Sequence, residues 1–221
     1  MVNIESYISQ LTALLKARFG GRLLYVGLQG SYLRGEANEN SDIDIMVILD
    51  RLNVSDLDDY RGILQSMEDY DKSCGFICGK DDLANWNPLE IRNLLGSTKD
   101  YFGKLSDFVP SHSREDLRNF VKMSLNNLYH ELCHRYIHAD ARKNAAALPG
   151  TYKGVFFILQ NLHCLRTGEF VDTKAQLLQA LEGRDKAVLE RAMAMKQGEN
   201  FDFAGSYDLI FHWCRDNLQT V

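Results

Sequence analysis

The stretch that most constrains this chain is Gly30-Ser31-Tyr32-Leu33-Arg34-Gly35-Glu36-Ala37-Asn38-Glu39-Asn40-Ser41-Asp42-Ile43-Asp44-Ile45. It begins where one apolar run ends, Leu23 to Leu28, and leads into a second, Ile45 to Leu49. Runs of that length bounded by polar and glycine-rich residues read as buried strands. Gly30 permits a backbone geometry that a side chain would hinder, and lets main-chain N–H groups approach an anion. Ser31 adds a hydroxyl donor, and a turn of helix over 31–35 would aim further N–H groups at phosphate. On a strand alternate side chains share a face, so Asp42 and Asp44 point one way while Ile43 and Ile45 point into the core. Two neighbouring carboxylates repel unless a cation sits between them. Mg²⁺ suits such a pair, because it takes oxygen ligands and is held by one or two carboxylates plus substrate phosphates. The bland alternative, a surface turn with two exposed aspartates, sits poorly with a Val/Ile-rich strand, where an unpartnered carboxylate is costly.

The string G-S-x-x-R-G-x-A-x-x-x-S-D-I-D-I resembles the signature of the DNA polymerase beta-like nucleotidyltransferases, matching at Gly30, Ser31, Arg34, Gly35, Ser41, Asp42 and Asp44. The resemblance implies transfer of a nucleoside monophosphate, AMP from ATP as first choice, onto an acceptor hydroxyl with release of pyrophosphate. In that scheme Asp42 and Asp44 are catalytic and hold Mg²⁺, while Gly30 and Ser31 bind phosphate oxygens. Arg34 either pairs with phosphate or serves as structural partner to an acid of its own loop.

The rest of the chain supports two domains. Up to about residue 108 the pattern is helix, strand, signature loop, strand, helix, then a third strand near Ser73–Cys78. A turn at Gly79–Asp82 and a helix from Asn87-Pro88 to about Leu95 follow. The expectation is a small α/β (α+β) domain with a mixed sheet over 1–108. Residues 109–221 carry no strand pattern and read as an all-α bundle. Ser113-x-x-Asp116 opens a long helix. Leu148-Pro149-Gly150 is expected to break the chain, with a second helix over about 152–166 that Lys153 begins. Asp172 or Thr173 caps a third helix, terminated by Gly183. Two more are expected near 186–196 and 203–218. Lys153-Gly154 through Arg166-Thr167-Gly168-Glu169 resembles the helix ending in Thr-Gly-Glu of streptomycin and spectinomycin adenylyltransferases, and Asp81-Asp82-Leu83-Ala84-Asn85-Trp86 the segment after their third strand. Lys153 could thus reach a triphosphate.

That resemblance also exposes a departure. Laid on those adenylyltransferases, the third catalytic carboxylate falls on Cys74, with Asp71, Asp81 and Asp82 as nearby acids. A shifted alignment would rescue one of them. Otherwise the substrate or the helical half supplies the base, or the protein binds nucleotide and transfers poorly.

Three acceptor readings therefore stand: a small molecule of aminoglycoside type, a protein as for the antitoxin-type minimal nucleotidyltransferases, and none at all, in a non-catalytic nucleotide-binding module. His130, His134 and His138 recur every four residues and read mainly as a polar helix face, although two histidines at i, i+4 can bind a metal. Trp86, Tyr101 and Phe102 could stack on a base but fit a core equally well.

Charge narrows the partners. Residues 1–110 hold 11 Lys/Arg against 17 Asp/Glu and residues 111–221 hold 14 against 13, so the basic footprint for long nucleic acid is absent. No run approaches membrane-spanning length, and the N-terminus has no signal-peptide pattern. Five scattered cysteines, Cys74, Cys78, Cys133, Cys164 and Cys214, read as reduced thiols of a cytoplasmic protein. Related enzymes sometimes build the cleft between two subunits, so a homodimer stays open.

Overall fold

The structure, a computed structural model, describes residues 2–221 and divides into two compact units, one running to His112 and the other from Ser113 to Val221. The first unit holds α1 (Ile4–Phe19), β1 (Leu23–Leu28), a one-turn α2 (Gly30–Leu33), β2 (Ile43–Leu49) and α3 (Val54–Gln65). β3 (Ser73–Gly79), α4 (Lys80–Ala84), α5 (Pro88–Gly96) and β4 (Lys99–Phe102) complete it. The four strands form one mixed sheet in the order β3-β2-β1-β4. β1 is antiparallel to both β2 and β4, and β2 is parallel to β3.

Why β2 reads as an unbroken apolar run is clear from its two faces. Ile43, Ile45, Val47 and Leu49 pack with Ile8, Leu11, Leu15 and Phe19 of α1 and Tyr60 of α3. Met46 and Ile48 face the other way, onto Tyr25, Cys78, Leu83 and Leu105. A strand covered on both sides loses the polar alternation of a half-exposed one. Each Leu or Ile buried in this way contributes about 1.5–3 kcal/mol. Asp44 shares the face of Met46 and Ile48 but lies at the strand's open end, where the covering layer stops. The start of α3 is held to the end of the central β1–β2 pair by Arg22, whose guanidinium donates to both oxygens of Asp56 at 2.8 and 2.9 Å and to Asp50 at 3.0 Å.

Two local expectations are corrected in this unit. The segment 79–82 is not a bare turn: Asp82 caps Gly79 N–H and a short helix, α4, starts at once. β4 is a strand that the sequence pattern did not reveal, because Lys99-Asp100-Tyr101-Phe102 has neither alternation nor an apolar run and pairs at a sheet edge.

The second unit is all helix among the described residues: α6 (Arg114–His138), α7 (Ala141–Thr167), α8 (Lys174–Ala180), α9 (Gly183–Lys196) and α10 (Phe203–Thr220). Reciprocal Ser113–Asp116 hydrogen bonds cap α6. Its Leu117, Val121, Leu125, Leu128 and Leu132 pack on Leu148, Tyr152, Val155, Phe156 and Leu159 of α7 and on Ile210, Trp213 and Cys214 of α10. The indole N–H of buried Trp213 donates to Asp185 at 2.6 Å, and Arg166 ties Asp185 to Asn217.

The expected break at Leu148-Pro149-Gly150 does not occur, and α7 runs through Pro149. Proline in a helix interior costs roughly 3 kcal/mol through one lost hydrogen bond and a clash with the preceding turn. Leu148, Tyr152 and Val155 are each almost wholly buried on one face spanning the proline, and together that burial outweighs the cost. Lys153 consequently lies in mid-helix, exposed, instead of opening a helix. Gly183 does not end α8 either. α8 stops at Ala180, and Gly183, at φ +55°, starts α9.

Candidate active site

The candidate site is built at the open end of β1 and β2. The Gln29 N–H donates to the Asp44 carbonyl at 2.9 Å, closing the two strands just before the chain turns at Gly30. Gly30 has φ +71°, and a β-carbon there would fall on the Asp44 carboxylate. Glycine is thus needed twice, for the left-handed backbone and for the space. The helical turn that follows is closed by Arg34 N–H to Gly30 O and by Glu36 N–H to Ser31 O. Gly35, at φ +66°, leads out of it.

The returning loop fixes where β2 begins. Asn38 N–H donates to Ser41 Oγ at 2.9 Å, Ser41 N–H to Asn38 O at 3.0 Å, and Asn40 N–H to Asn38 Oδ1 at 2.9 Å. Ser41 therefore closes a tight loop immediately before Asp42. Asp42 is exposed one residue ahead of the strand, and Asp44 is half-buried within it.

Burial pushes the Asp44 carboxyl above its ordinary pKa. The Cys74 thiol, hydrogen-bonded to it, works against that; the charge of Asp42 pushes it up again; and the charge of Arg34 opposes. A half-buried carboxylate with a like charge as neighbour gains from a bound cation. The two aspartates offer hard oxygen donors of the kind Mg²⁺ takes when phosphate oxygens complete its shell.

Arg34 is largely shielded, and its Nε lies 3.4 Å from Glu36 Oε2. That ion pair lies within the loop, and the Arg34 charge also reaches Asp44.

Cys74 stands directly across from Asp44 in the parallel β2–β3 pairing. None of the three alternative acids takes that place. Asp71 lies in the single turn before β3 and is exposed. Asp81 and Asp82 follow Gly79, the far end of β3, five residues beyond Cys74 and hence about 16 Å along the strand. Asp82 is occupied as the cap of α4. Burial and the Asp44 charge raise the Cys74 thiol above its usual pKa, which keeps it a neutral donor.

Two supports escaped the sequence reading. Gln29 Nε2 donates to Thr98 Oγ1 at 2.8 Å, linking the turn to the segment before β4. Tyr7 OH and Ser73 Oγ lie 2.7 Å apart beside the start of β3. Neither pair is close in sequence, so only the tertiary fold brings them together. The aromatic candidates serve packing: Trp86 stacks edge-on against Phe76 and donates to Glu90 at 2.6 Å, Tyr101 donates to Glu5, and Phe102 lies under Lys16. Gly30, Ser31, Arg34, Asp42 and Asp44 are thus gathered in the first unit, while Lys153 belongs to the second.

A mixed sheet with a glycine-serine turn after its central strand, and two carboxylates opening the next, is the arrangement of a nucleotidyltransferase domain. Residues 8–101 match the family model of the nucleotidyltransferase domain. Among curated relatives, a putative protein adenylyltransferase of Methanocaldococcus jannaschii is 41% identical over 49 residues, 22% of this chain and 49% of that protein. The protein adenylyltransferase MntA of Thermococcus cleftensis is 50% identical over 50 residues, 21% of this chain and 48% of that protein. The matches thus span about half the length of these relatives. Among solved structures, the spectinomycin adenyltransferase of Enterococcus faecialis, determined with ATP and spectinomycin, aligns over 98% of this chain and 100% of its own with a TM-score of 0.60 at 14% identity. At that identity the likeness is one of fold, and it extends through both units.

Proposed function

We propose that the chain is a Mg²⁺-dependent adenylyltransferase that moves AMP from ATP onto a hydroxyl of a small-molecule acceptor. The observation that carries this reading is the half-buried Asp44 carboxylate seated against Gly30, with Asp42 two residues away at the mouth of the strand. Asp42 and Asp44 would hold Mg²⁺, which supplies charge neutralisation for the triphosphate. Gly30 and Ser31 approach phosphate oxygens through the main chain and the hydroxyl. Arg34, paired to Glu36, stabilises the turn and adds positive charge near Asp44. Lys153, exposed on α7, is the candidate cation from the helical unit.

The proton of the attacking hydroxyl needs an acceptor. Cys74 cannot fill that role as a neutral thiol, which leaves a basic group of the substrate or a residue of the helical unit to take the proton. In support of a small-molecule acceptor, the aligned fold over both units is that of a protein solved with spectinomycin. A second reading, transfer to a protein hydroxyl, is favoured by the names of the two curated relatives.

The test is incubation with α-labelled ATP and Mg²⁺, together with either a panel of aminoglycosides or cell extract. Label in a small molecule supports the first reading and label on protein the second. Retention of ATP binding with label in neither pool would leave a nucleotide-binding module.

A further inference from the structure

A second set of metal-seeking side chains lies in the helical unit, away from the aspartate pair. His130, Glu131 and His134 spell H-E-x-x-H within α6, and His138 adds another imidazole four residues on. All three histidines are exposed, and they line one surface depression with Glu131, Arg135 and Ala139. Their rings form a continuous file: the His130 and His134 centroids are 5.9 Å apart, those of His134 and His138 4.8 Å.

Helical spacing of four puts two imidazoles on one face, one turn apart, and that pair chelates a borderline transition metal such as Zn²⁺. With Zn–N bonds of about 2.0–2.1 Å, two nitrogens on one ion are roughly 3–3.5 Å apart. Rings centred 4.8 Å apart can offer nitrogens at that spacing after a small rotation about their own bonds, whereas the wider pair needs a larger one. A single helix cannot turn all three rings onto one ion. Consistently, among the described residues no group of three or more His, Cys, Asp or Glu side chains is placed to hold a metal ion.

Glu131 does not complete a hydrolytic centre. Its carboxylate is paired with Arg135 and accepts from Thr151 Oγ1 at 3.2 Å, while Arg135 also donates to Thr151 at 2.8 Å. That network neutralises the charge beside the histidines and leaves the imidazoles as the available donors.

We infer that His134 and His138 form a two-imidazole Zn²⁺ site on α6, completed by water and separate from the nucleotidyltransferase centre. The occupant is an imidazole-seeking divalent ion of the Zn²⁺, Ni²⁺ or Cu²⁺ kind, as opposed to Mg²⁺, which prefers oxygen.

The experiment uses the full chain, stripped with chelator, and titrates Zn²⁺ in competition with a chromophoric chelator. Two-dimensional NMR of the histidine rings provides a second readout. The expected result is one ion bound through the histidine face, with the His134 and His138 ring signals shifting. His134→Ala and His138→Ala should each weaken binding by about tenfold or more, His130→Ala by less than about threefold. The double variant Asp42→Ala/Asp44→Ala should leave those ring shifts intact. Circular dichroism of the exposed-histidine variants, matching the parent, certifies that they fold. Absence of saturable Zn²⁺ binding would overturn the inference, as would undiminished binding in His134→Ala. Ring shifts that vanish with the aspartates, or a loss confined to His130→Ala, would also overturn it.

Discussion

The Asp44 carboxylate occupies the space that a β-carbon on Gly30 would need. The turn proposed to approach phosphate and the carboxylate proposed to hold the metal are therefore packed against each other, and neither can shift alone. Gly30→Ala adds a side chain at φ +71° and on top of Asp44. The left-handed conformation alone costs on the order of 1–2 kcal/mol, and the displaced carboxylate costs function. The expected outcome is a lowered melting temperature with transfer reduced by about a hundredfold or more, measured with labelled ATP. Wild-type transfer in this variant would show that the close packing is irrelevant to the site.

Asp44→Asn separates function from stability. The folded-state pKa of Asp44 lies above its unfolded value because burial disfavours the charge. For such an acid the charged form is penalised by folding. The penalty is complete above the folded pKa and vanishes below the unfolded one. The amide escapes it, so the variant should melt higher than the parent near pH 7 and the gain should fade on acidification. Transfer should be abolished. A variant that is both destabilised at pH 7 and active would contradict this.

Cys74→Glu places a carboxylate directly across from Asp44 in the β2–β3 register. If that position is the one that supplies a third acid, transfer should rise, by about tenfold if the new group acts as a base. Loss of the thiol donor and a third negative charge should also make Mg²⁺ dependence steeper. A fall in transfer at every Mg²⁺ concentration would mean that the thiol at this site is required as such.

The Arg22–Asp56 pair sets an acid limit for the first unit. Arg22 holds the Asp56 carboxyl well below the usual carboxylate range. The group therefore binds its proton more readily unfolded than folded. Its stabilisation is full above the unfolded pKa of about 4 and is lost as pH falls through the folded value. Asp56→Ala should lower the melting temperature at pH 7, and its difference from the parent should shrink steadily below pH 4. A constant difference across pH 2–7 would exclude this ion pair as the cause.

Pro149→Ala restores a helical N–H and removes the ring from the middle of α7. The expected gain is about 2 kcal/mol in the unfolding free energy of the helical unit, the proline cost of about 3 kcal/mol less what the ring saves by restricting the unfolded chain, with transfer unchanged. Destabilisation would indicate that the proline shapes the packing of α7 and does not merely tolerate it.

Much of this molecule was legible locally. The strands flanking 30–45, the Ser113–Asp116 cap and the buried stripes of α6 and α7 depend on neighbours within a few residues, and their periodicity is written in the chain. Elements whose existence depends on distant partners were not. β4 is a strand only because β1 offers it an edge, and α7 passes Pro149 only because a common core holds both sides of it.

The same division runs through the site. By itself the sequence determined the glycine-serine turn and the spacing of the two aspartates, since both are local features of one short stretch. Tertiary structure alone decided what surrounds them. The parallel pairing of β2 and β3 set Cys74, and none of the three nearby acids, across from Asp44. The pairing of β1 with β2 set Gly30 against Asp44, which is half-buried. Register, burial and the fields they create are properties of segments brought together from afar, so no reading of one segment contains them.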